Sequence, residues 1–257
     1  MDFPAGRRSG YVLPYERPPF GCSARFYVHI YDWRDEALMT QEIVLHTGRT
    51  EKNRVGMMEL TQAKTIKIVA VLLLLSAISQ PIYTALFLGA PDVASRQVLW
   101  GLEGLLFVFL VAFAGSALVM AKRYTLGFSA IAFSAVLNVV QVGVGYTLFK
   151  PFGQAAQANA ELGAISFSVV VFGFFIYNAA KILLGLAAVV FGVAHSNQGR
   201  KALGGLTTLV GAVAIVANAI VLMLGIKGAF PSPIAGGSGV AATLLLAICL
   251  LSLNQDD

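Results

Sequence analysis

Two ionisable residues, Glu103 and Lys181, lie inside long apolar segments of the sequence. A charged side chain at the centre of a bilayer costs about 2.5–3.5 kcal/mol on insertion scales, so such residues mark transport paths, proton relays or buried ion pairs. An unpaired buried charge is costly, and Glu103 is the only acid within any of these segments. We therefore predict that Glu103 and Lys181 face one interior cavity, in contact directly or through water.

Uncharged polar residues of the same segments are expected to line this cavity. Tyr177 and Asn178 precede Lys181 by one helical turn, so the three side chains share one face of a helix. Further amides come from the first, third and fifth apolar segments. The predicted cavity residues are Lys181, Glu103, Asn178, Gln141, Gln80, Asn218 and Tyr177.

The same residues also admit a structural interpretation. Lys181 then belongs to a structural ion pair or extends its ammonium group along a tilted helix toward water, and Glu103 is an interfacial carboxylate beside Trp100. Polar and small residues at helical spacing are typical of helix–helix packing, with interhelical hydrogen bonds of about 0.6–2 kcal/mol each. Such stripes are Ser134, Asn138, Gln141 and Gly145 in the third segment, and Gly204, Thr208, Gly211, Ile215 and Asn218 in the fifth.

The sequence carries no catalytic or cofactor signature. Haem held by two histidines needs a pair of them within the spans, and His29, His46 and His195 all lie away from mid-span. No cluster of histidine, cysteine or acidic residues has the spacing of a metal site. The motifs GxxxxGK[ST], GxSxG and HExxH do not occur. We therefore expect no enzyme activity, no cofactor and no metal.

The composition indicates a membrane protein. Hydrophobic residues make up 57% of the 257 residues, charged residues only 12%, and the mean hydropathy is +0.76. Soluble domains typically carry about 25% charged residues. A surface with so few charges suits lipid, which accepts apolar side chains directly. The net charge of +5 does not form a basic helix or stripe, so no nucleic-acid partner is expected.

Six apolar segments follow residue 57, each long enough to cross a hydrocarbon core about 30 Å thick. They run from Ile68 to Leu88, Val98 to Met120, Leu126 to Phe149, Ile165 to Ala194, Leu203 to Ile226 and Ile234 to Leu253. We therefore predict an all-α fold, a polytopic membrane helix bundle of six transmembrane helices. Residues 150–161 and 195–201 are predicted as loops, and Pro81 is expected to kink the first helix.

Residues 1–57 differ from the rest of the chain. They show no sustained helix or strand periodicity, apart from one short strand expected at residues 26–30. We predict a polar N-terminal segment at 1–57, either disordered or an extension of the gene model, and a six-helix transmembrane domain at 58–257. From Met58 the chain reads as a short basic flank entering a span, so translation is expected to begin at Met57 or Met58.

Basic residues in the connections favour one orientation. One side carries Lys64, Lys67, Lys122, Arg123, Arg200 and Lys201, and the other carries Arg96, Lys150 and Lys227. Loops rich in lysine and arginine stay in the cytoplasm. We therefore predict a multi-pass protein of the cell inner membrane with both termini cytoplasmic and the loops near Asp92, Gln154 and Pro231 outside.

These features predict a small transporter or permease-like protein with a polar cavity in the outer half of the bundle. The alternative is a non-catalytic membrane subunit or scaffold that packs against partner membrane proteins. The lipid bilayer is the expected partner, and a homo-oligomer is a further one because six spans are few for one complete pathway. A transporter should bring polar residues of several helices together, whereas a scaffold should disperse them along helix contacts.

Overall fold

The computed structural model describes residues 25–31, 38–44, 61–89, 94–225 and 232–253. The chain divides into two compact units, Met1–Glu59 and Leu60–Asp257. In the first unit, β1 (Arg25–Tyr31) pairs antiparallel with β2 (Leu38–Val44). β1 includes the residues 26–30 that the sequence predicts as a strand. The predictions of disorder and of a start at Met57 or Met58 concern residues that lie mostly outside the described ranges.

The second unit is all-α in the part that the structure describes, as predicted. Its helices are α1 (Gln62–Gly89), α2 (Ala94–Met120), α3 (Thr125–Val144), α4 (Lys150–Ala158), α5 (Gly163–Asn197), α6 (Lys201–Leu224) and α7 (Ser232–Leu251). A π-helical turn, Gly145–Phe149, continues α3 into α4, and a 3₁₀ turn, Ala160–Leu162, leads into α5. Pro81 lies inside α1.

Within the described residues, six stretches are long and apolar enough to cross a membrane. They are Gln62–Leu86, Gln97–Met120, Thr125–Ala158, Ala160–Asn197, Lys201–Leu224 and Pro233–Leu251. Their number and order agree with the six predicted segments. The fourth, which the sequence predicts as the longest, contains the 35-residue helix α5.

The loop predicted at residues 150–161 is wrong, because most of this connection is helical. Alanine and glutamine residues in α4 favour the helical state. The π-helical turn lies directly before Pro151, whose missing N–H cannot complete a regular bond to the carbonyl four residues earlier. The chain leaves the helix at Asn159, which has an extended backbone and a side chain that accepts a hydrogen bond from the Glu161 N–H.

The loop predicted from His195 onward begins too early. The structure places His195 in the last turn of α5, completely buried. Its Nε2 atom pairs with Ser252 Oγ at 2.9 Å, and Arg200 donates a hydrogen bond to the Ser252 carbonyl oxygen. A polar ring can be buried here because it has a partner on another element. We call His195, Arg200 and Ser252 the terminal clasp.

Five of the described helices close into a ring. α1 packs against α2, α2 against α3, α3 against α5, α5 against α7, and α7 against α1. α6 lies outside this ring, against α5 and α7. The ring gives the bundle an interior into which residues of five helices can project.

The contact between α5 and α6 is made through glycine. A Cβ atom at Gly192 would lie 2.5 Å from Thr208 Oγ1 and 2.8 Å from the Gly204 carbonyl oxygen. A Cβ atom at Gly211 would lie 2.8 Å from the Gly185 carbonyl oxygen. Small residues allow helix backbones to approach this closely. The packing interpretation of the stripe in the fifth segment is therefore confirmed for Gly204, Thr208 and Gly211.

Candidate functional site

Lys181 projects from α5 into the interior of the ring, where its side chain is 0% exposed. Its Nζ atom donates a hydrogen bond of 2.6 Å to Oε1 of Gln80 on α1. The backbones of α1 and α5 do not lie against one another along their described lengths. The two long side chains therefore meet across the interior rather than at a helix–helix contact.

The Gln80 amide also reaches Glu103 on α2. Gln80 and Glu103 are 8% and 5% exposed, and the Gln80 amide lies close enough to the Glu103 carboxyl to interact with it. The oxygen end of this amide accepts from Lys181, and only its NH2 end carries hydrogens that can be donated to a carboxyl group. The carboxyl group also lies within electrostatic range of Lys181. One carboxamide thus lies beside both ionisable residues that the sequence predicts to face one cavity.

Tyr177 and two glycines of α7 complete the surroundings of Lys181. The Lys181 Nζ atom lies 5.2 Å from the centre of the Tyr177 ring, a favourable distance for a cation near an aromatic face. A Cβ atom at Gly239 would lie 2.8 Å from Lys181 Cδ and 2.9 Å from Cγ, so α7 passes directly over the lysine stem. A Cβ atom at Gly236 would lie 3.6 Å from the Tyr177 hydroxyl. We call Gln80, Glu103, Tyr177 and Lys181 the polar cluster.

The structure does not bring the other three predicted cavity residues into hydrogen-bond contact with the polar cluster in the described part of the chain. Asn178 is buried, and its amide nitrogen donates to the Phe174 carbonyl oxygen of its own helix at 2.7 Å. Asn218 is completely buried and joins α6 to α7, donating to Ala235 O at 3.0 Å. Gln141 is half-buried on α3. For Asn218, helix packing is the role that the contacts support.

Ser134 and Asn138 join α3 to α5 one residue away from the polar cluster. Ser134 Oγ donates to the carbonyl oxygen of Ala180 at 2.9 Å, and Asn138 Nδ2 donates to the Ser134 carbonyl oxygen at 2.9 Å. The Oδ1 atom of Asn138 is buried and has no partner among the residues that the structure describes. This pair fixes α5 next to Lys181 and matches the predicted packing stripe of the third segment.

Sequence reasoning missed the contribution of α7. The run Gly236, Gly237, Ser238, Gly239 opens this helix, and its first and last members face Tyr177 and Lys181. Glycine inside a helix is unfavourable relative to alanine, so such a run calls for a close neighbour. That signal was available in the sequence, whereas the identity of the neighbour was not.

The arrangement can hold a small polar group by hydrogen bonds and charge. It offers an ammonium donor, a carboxylate acceptor and an aromatic face, all converging from α1, α2 and α5. Within the described ranges, no group of three or more histidine, cysteine, aspartate or glutamate residues could hold a metal ion.

The apolar helices and the ring define the class of the protein, a multi-pass α-helical membrane protein. Comparisons of the chain with family models, with curated proteins and with solved structures find no match. Its function must therefore be argued from the polar cluster.

Proposed function

We propose that the protein is a small transporter or permease-like protein of the cell inner membrane, with the polar cluster as its solute site. The observation that carries this proposal is the convergence of Gln80, Glu103 and Lys181 from three helices on one place inside the ring. Polar residues dispersed along helix contacts, the pattern expected of a scaffold, are found at Ser134 and Asn218 but not in the cluster.

The energetics of burial support a functional role for the cluster. Replacing buried ion pairs by apolar residues of similar volume is often neutral or stabilising, so charge is seldom kept in a core for stability alone. In membrane helices, intramembrane ionisable residues commonly lie along substrate or ion pathways. A solute site needs only convergent donors and acceptors, so the proposal includes no catalysis, cofactor or metal.

The proposed orientation puts both termini in the cytoplasm. A reporter that is active only outside the membrane should give a strong signal when fused at Gln154 and background signal when fused at Gln198. The reason is the excess of lysine and arginine on the Gln198 side. An external signal at Gln198 would reverse the orientation and place the polar cluster in the inner half of the bundle.

Solute counterflow into proteoliposomes tests the transport proposal. Vesicles containing the purified full-length protein are loaded with phosphate, choline, glycine or sorbitol, and the uptake of the same labelled solute is followed. At least one solute should exchange faster than in protein-free vesicles, and Lys181→Met should reduce that exchange at least tenfold. The panel covers an anion, a cation, a zwitterion and a neutral molecule.

Two glycines of α7 provide a matched pair of variants for this assay. Gly239→Ala places a methyl group against the Lys181 stem and should slow exchange, whereas Gly237→Ala meets nothing within 4 Å and should leave exchange unchanged. If folded protein exchanges none of the four solutes, the transporter proposal fails and the scaffold role is favoured.

A further inference from the structure

Building on the proposed function, we infer that the polar cluster takes a small zwitterion such as glycine. The ligand carboxylate would pair with Lys181 and the ligand ammonium with Glu103. In the structure, the Gln80 carboxamide lies between these two groups and occupies the position proposed for the ligand.

The hydrogen-bond pattern of the bridge defines the ligand. Lys181 donates to the oxygen of the Gln80 carboxamide, and the Glu103 carboxyl lies beside the same carboxamide. A group that lies between them must therefore offer an acceptor toward the ammonium and a donor toward the carboxylate. A carboxamide offers both as neutral groups. A zwitterionic amino acid offers both as charged groups, which form shorter and stronger hydrogen bonds. Such a ligand can therefore displace the Gln80 side chain.

Charge excludes simpler ligands. A monovalent anion would pair with Lys181 but would add a second negative charge beside Glu103. A monovalent cation would pair with Glu103 but would face the Lys181 ammonium group. In a buried site, like charges at close range are strongly unfavourable, whereas a zwitterion leaves the total charge unchanged.

The surroundings limit the size of the ligand. Lys181 is 0% exposed, α7 covers its stem at Gly239, and the Tyr177 ring covers its ammonium group. When the Gln80 side chain moves away, the ligand can occupy the volume that this side chain filled. In a carboxamide one carbon separates the acceptor oxygen from the donor nitrogen, and in glycine two carbons separate them. Glycine is therefore the smallest amino acid zwitterion that could lie between Lys181 and Glu103.

Binding of tritiated glycine to the purified full-length protein in detergent tests the inference. Unlabelled glycine should compete at least tenfold better than acetate or methylammonium, which each carry half of its charges. Lys181→Met and Glu103→Gln should abolish binding. Gln80→Ala retains both charged residues and removes the internal competitor, so it should bind glycine at least threefold more tightly. Size-exclusion chromatography establishes that each variant is folded.

The outcomes separate this inference from the proposed function. Absence of glycine binding by the folded native protein, equal competition by acetate, or weaker binding by Gln80→Ala would each overturn the zwitterion inference. Counterflow of phosphate or choline without glycine binding would support the transport proposal and contradict the zwitterion inference. Glycine binding without any counterflow would support the zwitterion inference and contradict the transport proposal. Loss of binding in Lys181→Met with tighter binding in Gln80→Ala supports the inference even if Glu103→Gln does not fold.

Discussion

Replacing Glu103 with leucine is expected to lower the free energy of unfolding by about 3–5 kcal/mol, because it leaves the buried Lys181 charge without its counter-charge. The lysine side chain is fully buried, and α7 covers its stem at Gly239. The effect is measured as the shift in denaturant-induced unfolding of the protein in detergent micelles, followed by circular dichroism.

The double variant Glu103→Leu with Lys181→Met provides the control. Removing both charges removes the unpaired group, so the double variant should recover most of the stability lost in Glu103→Leu alone. Glu103→Gln retains an acceptor for Gln80 and should fall between the two. Strictly additive losses in the double variant would contradict the electrostatic coupling on which the site is built.

The second large effect is expected at the contact between α5 and α6. Gly192→Ala places a methyl group 2.5 Å from Thr208 Oγ1 and 2.8 Å from a backbone oxygen, so the helices must separate. Overpacking of this kind typically costs about 1–3 kcal/mol. Gly211→Ala, which meets the Gly185 carbonyl oxygen at 2.8 Å, should behave alike. The measurement is the temperature at which half of the protein stays monodisperse on size-exclusion chromatography.

Gly205→Ala is the matched control on α6. A Cβ atom there meets nothing within 4 Å, and alanine is the better helix former by about 1 kcal/mol. This variant should therefore be as stable as the native protein or slightly more stable. If it lost as much stability as Gly211→Ala, the loss would reflect glycine in general and not the close approach of the two helices.

The spans were predictable from the sequence because hydropathy over about 20 residues is a local property. A bilayer of fixed thickness favours apolar helices of that length. The connection at residues 150–161 was not. Lys150 and Pro151 are ordinary signals of a loop. The π-helical turn before them nevertheless accommodates the proline, and the chain stays helical through α4. His195 was misplaced for a related reason: its burial depends on Ser252, far along the chain.

The site was predictable in part. Charge arguments brought Glu103 and Lys181 together, because each needs a partner and few exist within the spans. They did not reveal that Gln80 forms the bridge, nor that Asn178 and Asn218 bond to helix backbone instead. Which way an amide points depends on the rotation of each helix about its axis. That rotation is set by packing, here by contacts such as Gly239 on Lys181, and not by local sequence.

The terminal clasp also makes the packing of α5 depend on a residue that is translated later, Ser252. His195 and Arg200 are translated before α7, so neither has Ser252 available while α5 and α6 enter the membrane. When the last helix arrives, the Arg200 guanidinium meets the negative end of its dipole and the histidine ring gains its hydrogen bond. Before Ser252 is in place, the Nε2 atom of the buried His195 ring lacks this partner, so the arrival of the residue that follows α7 fixes the end of α5.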